Sequence, residues 1–226
     1  MEQKPLAGDW LICQISDSAF PAGGFAHSAG LEAAWQMGAV SAGASLEAYL
    51  RTQMVQTARA AIPYVAAAFR EPGRVEEWDA ACDAFLSNHV ARRASAAQGQ
   101  SFALAASRAF GGEGAAGLLR QIRSRAIVGH FAPVFGAISA GLELTEVQAV
   151  RLFAFLQLRG TVSAAVRLGI VGPLEGQQIQ WRAAREAEPL LAHALNETPD
   201  SAVQTAPLLD LFQGAQDRLY SRLFQS

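Results

Sequence analysis

The stretch Thr145-Glu146-Val147-Gln148-Ala149-Val150-Arg151-Leu152-Phe153-Ala154-Phe155-Leu156-Gln157-Leu158 decides the fold class. Thr145 followed three residues later by Gln148 fits a capping box, in which the two side chains reciprocally satisfy backbone N–H groups that a first helical turn leaves unpaired. Val147, Leu152, Phe153, Leu156 and Leu158 then make the helix strongly apolar. Gly160 is the point at which it is open to a break. Beyond it, Gly172-Pro173-Leu174-Glu175-Gly176 reads as a turn, followed by a helix from Gln177 to about Leu195 with a kink at Pro189. Toward the N-terminus, the charge-free stretch from Ala126 to Leu142 is interrupted by His130 and Pro133. It falls short of the roughly 20 strongly apolar residues that a membrane span needs and reads as a buried core helix.

The remaining segments repeat the helical pattern. Trp10, Leu11 and Ile15 predict a short first helix, and Ser16 to Gly24 predicts a structured loop. Ser28 is placed to cap the next helix, with Glu32 in its first turn and Gly38 at its end. Leu46, Tyr49, Leu50, Met54 and Thr57 form a 3.6-residue stripe behind Ser45 that continues toward Phe69 and is kinked or split at Pro63. Past the turn at Glu71 to Gly73, the segment Val75 to Ala97 carries Trp78, Cys82, Phe85, Leu86 and Val90 on one face of a single helix. A helical stretch from Phe102 to Phe110 is stopped by Gly111, Gly112 and Gly114, and Leu118, Leu119 and Ile122 mark a short helix after it. Asn196 to Pro207 reads as a polar surface linker and Leu208 to Phe224 as a final helix. The sum is about ten helices with no convincing strand: an all-α, single-domain helical bundle over residues 1–226, with a short N-terminal segment (1–9) and a C-terminal docking tail (208–226).

Composition agrees and narrows the function. Hydrophobic residues make up 51% and charged residues 17%, which is enough apolar surface to form a core. Alanine and leucine dominate that content, which favours helix. A net charge of −2 supplies no field for gathering phosphates, so nucleic acid is not an expected partner, and neither is a membrane. Residues Met1 to Asp9 lack the basic start and apolar run of a signal peptide, which predicts a cytoplasmic protein. Cys13 and Cys82, far apart and in no CxxC, read as buried small apolar residues.

No local motif supplies catalysis. Gly111-Gly112-Glu113-Gly114 lacks the lysine and hydroxyl residue of a phosphate loop, and Ser16 and Ser18 sit in no nucleophile elbow. Glu76 with Glu77, and Glu186 with Glu188, read as solvated faces because such spacings on a helix do not share a cavity. His27, His89, His130 and His193 are scattered without metal-ligand spacing and read as structural. Two other readings stay open: a nickel-carrying metallochaperone, and a small helical enzyme with a site around His27 and His130. Arg151, Arg159 and Arg167 recur every eight residues in apolar surroundings and need partners within the protein or across an interface.

The stretch Ser16-Asp17-Ser18-Ala19-Phe20-Pro21-Ala22-Gly23-Gly24-Phe25-Ala26-His27-Ser28, followed by Gly30-Leu31-Glu32, closely resembles the opening motif of the urease accessory protein F family. Gly129-His130-Phe131-Ala132-Pro133-Val134-Phe135-Gly136 and Ser163-Ala164-Ala165-Val166-Arg167-Leu168, leading to Gly172-Pro173-Leu174-Glu175-Gly176-Gln177, are similar to the same family in the same order. So is the tail, Leu219-Tyr220-Ser221-Arg222-Leu223-Phe224-Gln225-Ser226. Leu168-Gly169-Ile170-Val171 departs from the proline-leucine-glycine turn more usual there.

The resemblance implies a cytoplasmic, all-helical, commonly dimeric urease maturation protein. It would bind accessory protein D or H and recruit the GTPase accessory protein G for nickel delivery to apo-urease. It would bind no cofactor stably, with nickel and GTP handled by the partner complex, and it would catalyse nothing alone. The expected partner-binding residues are Ser16, Asp17, Phe20, Pro21, Gly23, Gly24, Phe25 and His27 in the loop, then Arg167, and Tyr220, Arg222, Leu223 and Phe224 in the tail. In the loop, Gly23 and Gly24 supply unusual dihedrals, while Phe20 and Phe25 either face a partner or bury themselves. In the tail, Tyr220 and Phe224 sit four apart beside Leu219 and Leu223 on one helical face, with Arg222 as a charged anchor.

Overall fold

The computed structural model describes residues 7–226, so most of the expected N-terminal segment lies outside the described residues. Among the described residues eleven α-helices follow one another: α1 Ala7–Ser16, α2 Leu31–Gln36, α3 Ala44–Gln56, α4 Ile62–Arg70, α5 Val75–Phe85, α6 His89–Ala109, α7 Glu113–Arg123, α8 Phe131–Ala140, α9 Glu146–Arg167, α10 Pro173–Ala194 and α11 Pro207–Ala215. A π turn, Thr57–Ala61, joins α3 to α4, and the described residues contain no strand. The protein is all-α.

The capping box is present: the Gln148 amide donates to Thr145 Oγ1 at 3.2 Å, and the Thr145 amide donates to Gln148 Oε1 at 2.8 Å. Behind it α9 runs unbroken through Gly160. A glycine in a helix costs about 1 kcal/mol relative to alanine. The buried run Leu158, Thr161, Val162, Ala164 and Ala165 around it outweighs that cost. α9 alone among the described helices has the length and apolarity of a membrane span, and its burial in the bundle accounts for that composition.

The centre of the core is α8, buried at every residue from Phe131 to Ser139 and held between α4, α6 and α9. Phe102, Phe131, Phe135 and Phe153 bring three of these helices together with ring centroids 4.9–5.8 Å apart, in tilted and edge-on pairs. Gly136 sets how near α8 lies to α4, because a Cβ built there would sit 2.2 Å from the Val65 carbonyl oxygen.

Several boundaries differ from expectation. Val75 to Ala97 is two helices, because Asn88 leaves helical geometry and caps α6, accepting from the amides of Val90 and Ala91 at 3.0 and 3.2 Å. Only Phe131–Ala140 of the apolar 126–142 stretch is helical. The preceding amides of Val128, Gly129 and His130 all donate to the buried carboxylate of Asp79, a long-range partner no local pattern reveals. The turn at Gly172 is itself the start of α10, with Pro173 in the first turn where its missing N–H costs nothing, and α10 continues through Pro189. Pro63 sits in the first turn of α4 directly after the π turn, and the helix is locally widened there and not interrupted. The final helix ends at Ala215 instead of Phe224. Cys82 is buried as expected, but Cys13 is exposed on α1.

Gly136→Ala should destabilise the protein by about 3 kcal/mol, because the obstructing atom is backbone and α4 must move as a body. Chemical denaturation of the variant beside wild type measures this, and an unchanged midpoint would mean that the α4–α8 distance is not tightly set.

Candidate partner-docking surface

The loop between α1 and α2 is held by side chains at both ends. Asp17 Oδ1 accepts from the Ala19 amide at 2.7 Å, closing a local turn, and Ser16 Oγ donates to the Cys13 carbonyl at 3.1 Å. Phe20 turns inward, stacked on Phe110 at 5.7 Å and tilted against Phe102 at 6.1 Å, whereas Pro21 stays exposed. Gly23 has φ +76°, and its α-carbon faces Ser101 so closely that a Cβ would lie 3.1 Å from the hydroxyl. Gly24 has neither constraint, so only one of the two glycines is demanded by the backbone. Phe25 turns outward and is 65% exposed.

Two of the three regularly spaced arginines fasten this loop to α9. Arg159 donates to the Ser16 carbonyl, and burial pulls its pKa down. Arg167 donates to the Phe25 carbonyl at 2.6 Å, and its guanidinium lies 3.8 Å from the Phe25 ring centroid and 4.3 Å from that of Phe224. One cation thus joins loop, helix and tail. Arg151, the third, pairs with Glu188 on α10 at the surface.

The tail is an extended strap. Past a 3₁₀ turn at Gln216–Arg218 the chain leaves helical geometry, so Tyr220 and Phe224 do not share a helical face. The reason lies in α2, where Glu32 is 2% exposed. Its carboxylate accepts from the amides of Leu223 and Phe224 at 2.6 and 3.1 Å and from Gln216 Nε2 at 2.6 Å. A helical tail would have used those amides itself. The strap then pairs with the loop through Gln225 N to Ala26 O at 2.8 Å and Ser28 N to Ser226 O at 2.5 Å. His27 Nδ1 meets Ser226 Oγ at 2.5 Å.

Phe224, Ser226 and His27 are therefore buried beneath the surface where contact was expected, while Tyr220 is fully exposed and Leu223 is 53% exposed. Arg222 points to Asp217 at 3.2 Å, sharing that carboxylate with Arg93 and His89. In the sequence Glu32 shows only a dipole role in the first turn of α2; its strap partners lie at the far end of the chain and leave no local signal.

The histidines have protein partners. His130, fully buried, contacts Asp83 Oδ1 through Nε2 at 2.8 Å and Ser95 Oγ through Nδ1 at 3.2 Å. This serine–histidine–aspartate chain has the order of a hydrolase triad. Here Ser95 Oγ accepts from the Phe131 amide at 3.2 Å, and the three preceding amides donate to Asp79. The cluster clamps the start of α8. His193 pairs with Glu197 at the surface. Among the described residues no three His, Cys, Asp or Glu side chains are grouped to hold a metal ion.

The loop, the strap and their common arginine bring together stretches quoted above for their resemblance to one family. The UreF family model matches residues 40–184. Urease accessory protein F from Arabidopsis thaliana is 37% identical over 222 residues, covering 96% of this chain and 92% of its own length. The protein of that name from Oryza sativa subsp. japonica is 34% identical over 228 residues, covering 99% and 86% respectively. Urease accessory protein UreF from Kocuria rhizophila is 30% identical over 237 residues and covers both chains in full. The chain belongs to the UreF family. As a UreF protein it serves urease maturation and acts with other urease accessory proteins, and the names of its relatives point to an accessory role. The full-length likeness takes in both the loop and the strap, which lie outside the matched 40–184 region.

In this UreF protein Arg167→Ala should cost about 2 kcal/mol, from two lost cation–π contacts and one charged hydrogen bond. It should also speed hydrogen exchange at Phe224 and Gln225; exchange unaltered there would show that Glu32 alone holds the strap. Burial, reinforced by nearby Arg93, holds the His27 pKa below its ordinary 6.5. The folded state therefore binds fewer protons at His27 than the unfolded chain, so stability present above pH 6.5 is lost as pH falls, at no more than about 1.4 kcal/mol per unit. Denaturation series from pH 7 downward should show this slope in wild type and a flatter one in His27→Gln.

Proposed function

We propose that this protein bridges accessory protein D or H and the GTPase accessory protein G, so that GTP hydrolysis is coupled to nickel insertion into apo-urease. It acts in the cytoplasm, holds neither nickel nor GTP stably, and contributes no bond-making step of its own. The observation that carries this reading is the strap, whose backbone is fixed by Glu32 while Tyr220, Arg222 and Leu223 point outward. Ordering a docking segment before the partner arrives removes an entropic cost from binding, and tyrosine and arginine are the side chains that dominate interface energies. Phe25, stacked on Arg167, extends the same surface. The exposed Trp10 of α1 and Leu208 and Leu211 of α11 support homodimerisation, since large apolar side chains of this kind favour cover by another protein surface.

Gel filtration with purified accessory proteins D or H and G, together with complementation of cells lacking this factor, tests the reading. Wild type should co-elute with the partners and restore urease activation. Tyr220→Ala should weaken assembly at least about tenfold without lowering thermal stability, because that side chain is fully exposed on the strap. Failure of wild type both to co-elute and to restore activation would overturn the bridge.

A further inference from the structure

A cleft of about 620 Å³ lies between the α1–α2 loop and α9. Two of the groups that line it are cations without a counter-ion. Arg159 and Arg167 each donate to one backbone carbonyl, of Ser16 and of Phe25, which leaves most of their N–H groups uncommitted. Arg151, earlier on the same helix, has Glu188 beside it, whereas among the described residues no carboxylate pairs with Arg159 or Arg167. Burial pulls the Arg159 pKa down, and the charge of Asp17, whose Oδ1 accepts from the Ala19 amide, acts against that pull. A half-buried guanidinium resting on a neutral carbonyl has its desolvation only partly compensated.

Two glycines mark the same cleft. Gly160 lies inside α9, where glycine weakens a helix relative to alanine, yet a Cβ built there would meet no atom within 4 Å. Gly24, on the loop side, has the same open space and no positive φ. Neither packing nor backbone conformation requires a glycine at these positions. What glycine does supply is close approach of another backbone. Phe20, Pro21 and Leu156 add apolar wall, and the exposed Phe25 ring joins the cleft to the docking surface outside.

We propose that this cleft receives an extended acidic segment of a partner protein, whose carboxylates pair with Arg159 and Arg167 while its backbone passes over Gly24 and Gly160. Planar guanidinium forks match carboxylates, which is why the segment is acidic. The two arginines are eight residues apart, roughly 12 Å along α9. One carboxylate cannot reach both, but about four residues of extended chain cover that distance and return their side chains to the same face. The inference rests on the bridging reading, which supplies the partner.

The experiment is a fluorescence-anisotropy titration of the whole protein against two short synthetic peptides rich in threonine and serine. One carries two glutamates four residues apart, and the other has glutamine at both places. The glutamate peptide should bind saturably, at least about tenfold more tightly than the glutamine peptide, and should weaken as salt is raised. Arg159→Gln should remove most of that preference. A loop merely loosened by the substitution would weaken both peptides alike and leave their ratio unchanged. Gly160→Leu fills the cleft while leaving both arginines and their carbonyls in place, so it should block the glutamate peptide with the melting temperature kept or raised. Equal affinity for the two peptides, no saturable binding of the glutamate peptide, or undiminished binding in folded Gly160→Leu would overturn the proposal. Failure of the bridge is read separately, from wild-type co-elution with the accessory proteins, because the peptide titration involves no partner.

Discussion

Glu32 lies in the first turn of α2 with its carboxylate sealed from water, and its acceptors are filled by two amides of the strap and the side chain of Gln216. Such a group is costly to bury unless every acceptor is used. The cost runs in both directions: without the strap the carboxylate would be exposed to apolar neighbours, and without the carboxylate the strap's amides would compete for water. The two therefore define one arrangement. Everything at this end follows from it. The strap's course sets where Phe224 meets Arg167, Arg167 reaches the Phe25 carbonyl, and Ser226 comes to His27. Chain segments far apart in sequence are fixed against each other by hydrogen bonds and one shared cation.

α9 makes that arrangement possible. It is the most apolar long helix, so burial against α4, α8 and α10 fixes its axis, and its arginines emerge from a rigid rod. Arg159 and Arg167 lie eight residues apart, slightly more than two helical turns, and grip the loop at Ser16 and at Phe25. The loop carries no strong secondary structure of its own and borrows its shape from α9. A change deep in the Phe102, Phe131, Phe135 and Phe153 cluster would move α9 and so reach the docking surface indirectly.

The fold class was legible because its determinants are local. The Thr145–Gln148 box, the alanine and leucine content and the period of the apolar stripe each act within a few residues. What escaped was whatever depends on partners distant in sequence. Asn88 was hidden inside an apolar stripe, although it both caps α6 and donates to the Asp210 carbonyl at 2.6 Å. The strap shows the same limit. Leu219 to Phe224 carries helical spacing, and a single buried carboxylate on α2 overrides it by taking the amides a helix would need. That Arg167 needs a partner could be read from its type and apolar surroundings. That His27 and Phe224 face inward could not, because burial at a chain end is a property of the whole molecule.

The charged groups explain why such a surface suits an accessory protein. At the strap and loop the ionisable side chains are largely occupied: Asp217 by Arg93, Arg222 and His89, Glu32 by the strap, Arg159 and Arg167 by backbone carbonyls. A group held this way is poor at moving protons or gathering metal, since its lone pairs or protons are already committed. Outside the cleft, what remains free is shape and apolar contact: the rings of Phe25 and Tyr220 and the side chain of Leu223 on a fixed backbone. Fixed aromatics lose little entropy on docking, so on the proposed reading a small area would suffice for affinity. That combination fits the bridging role proposed above, in which a factor holds partners and then releases them.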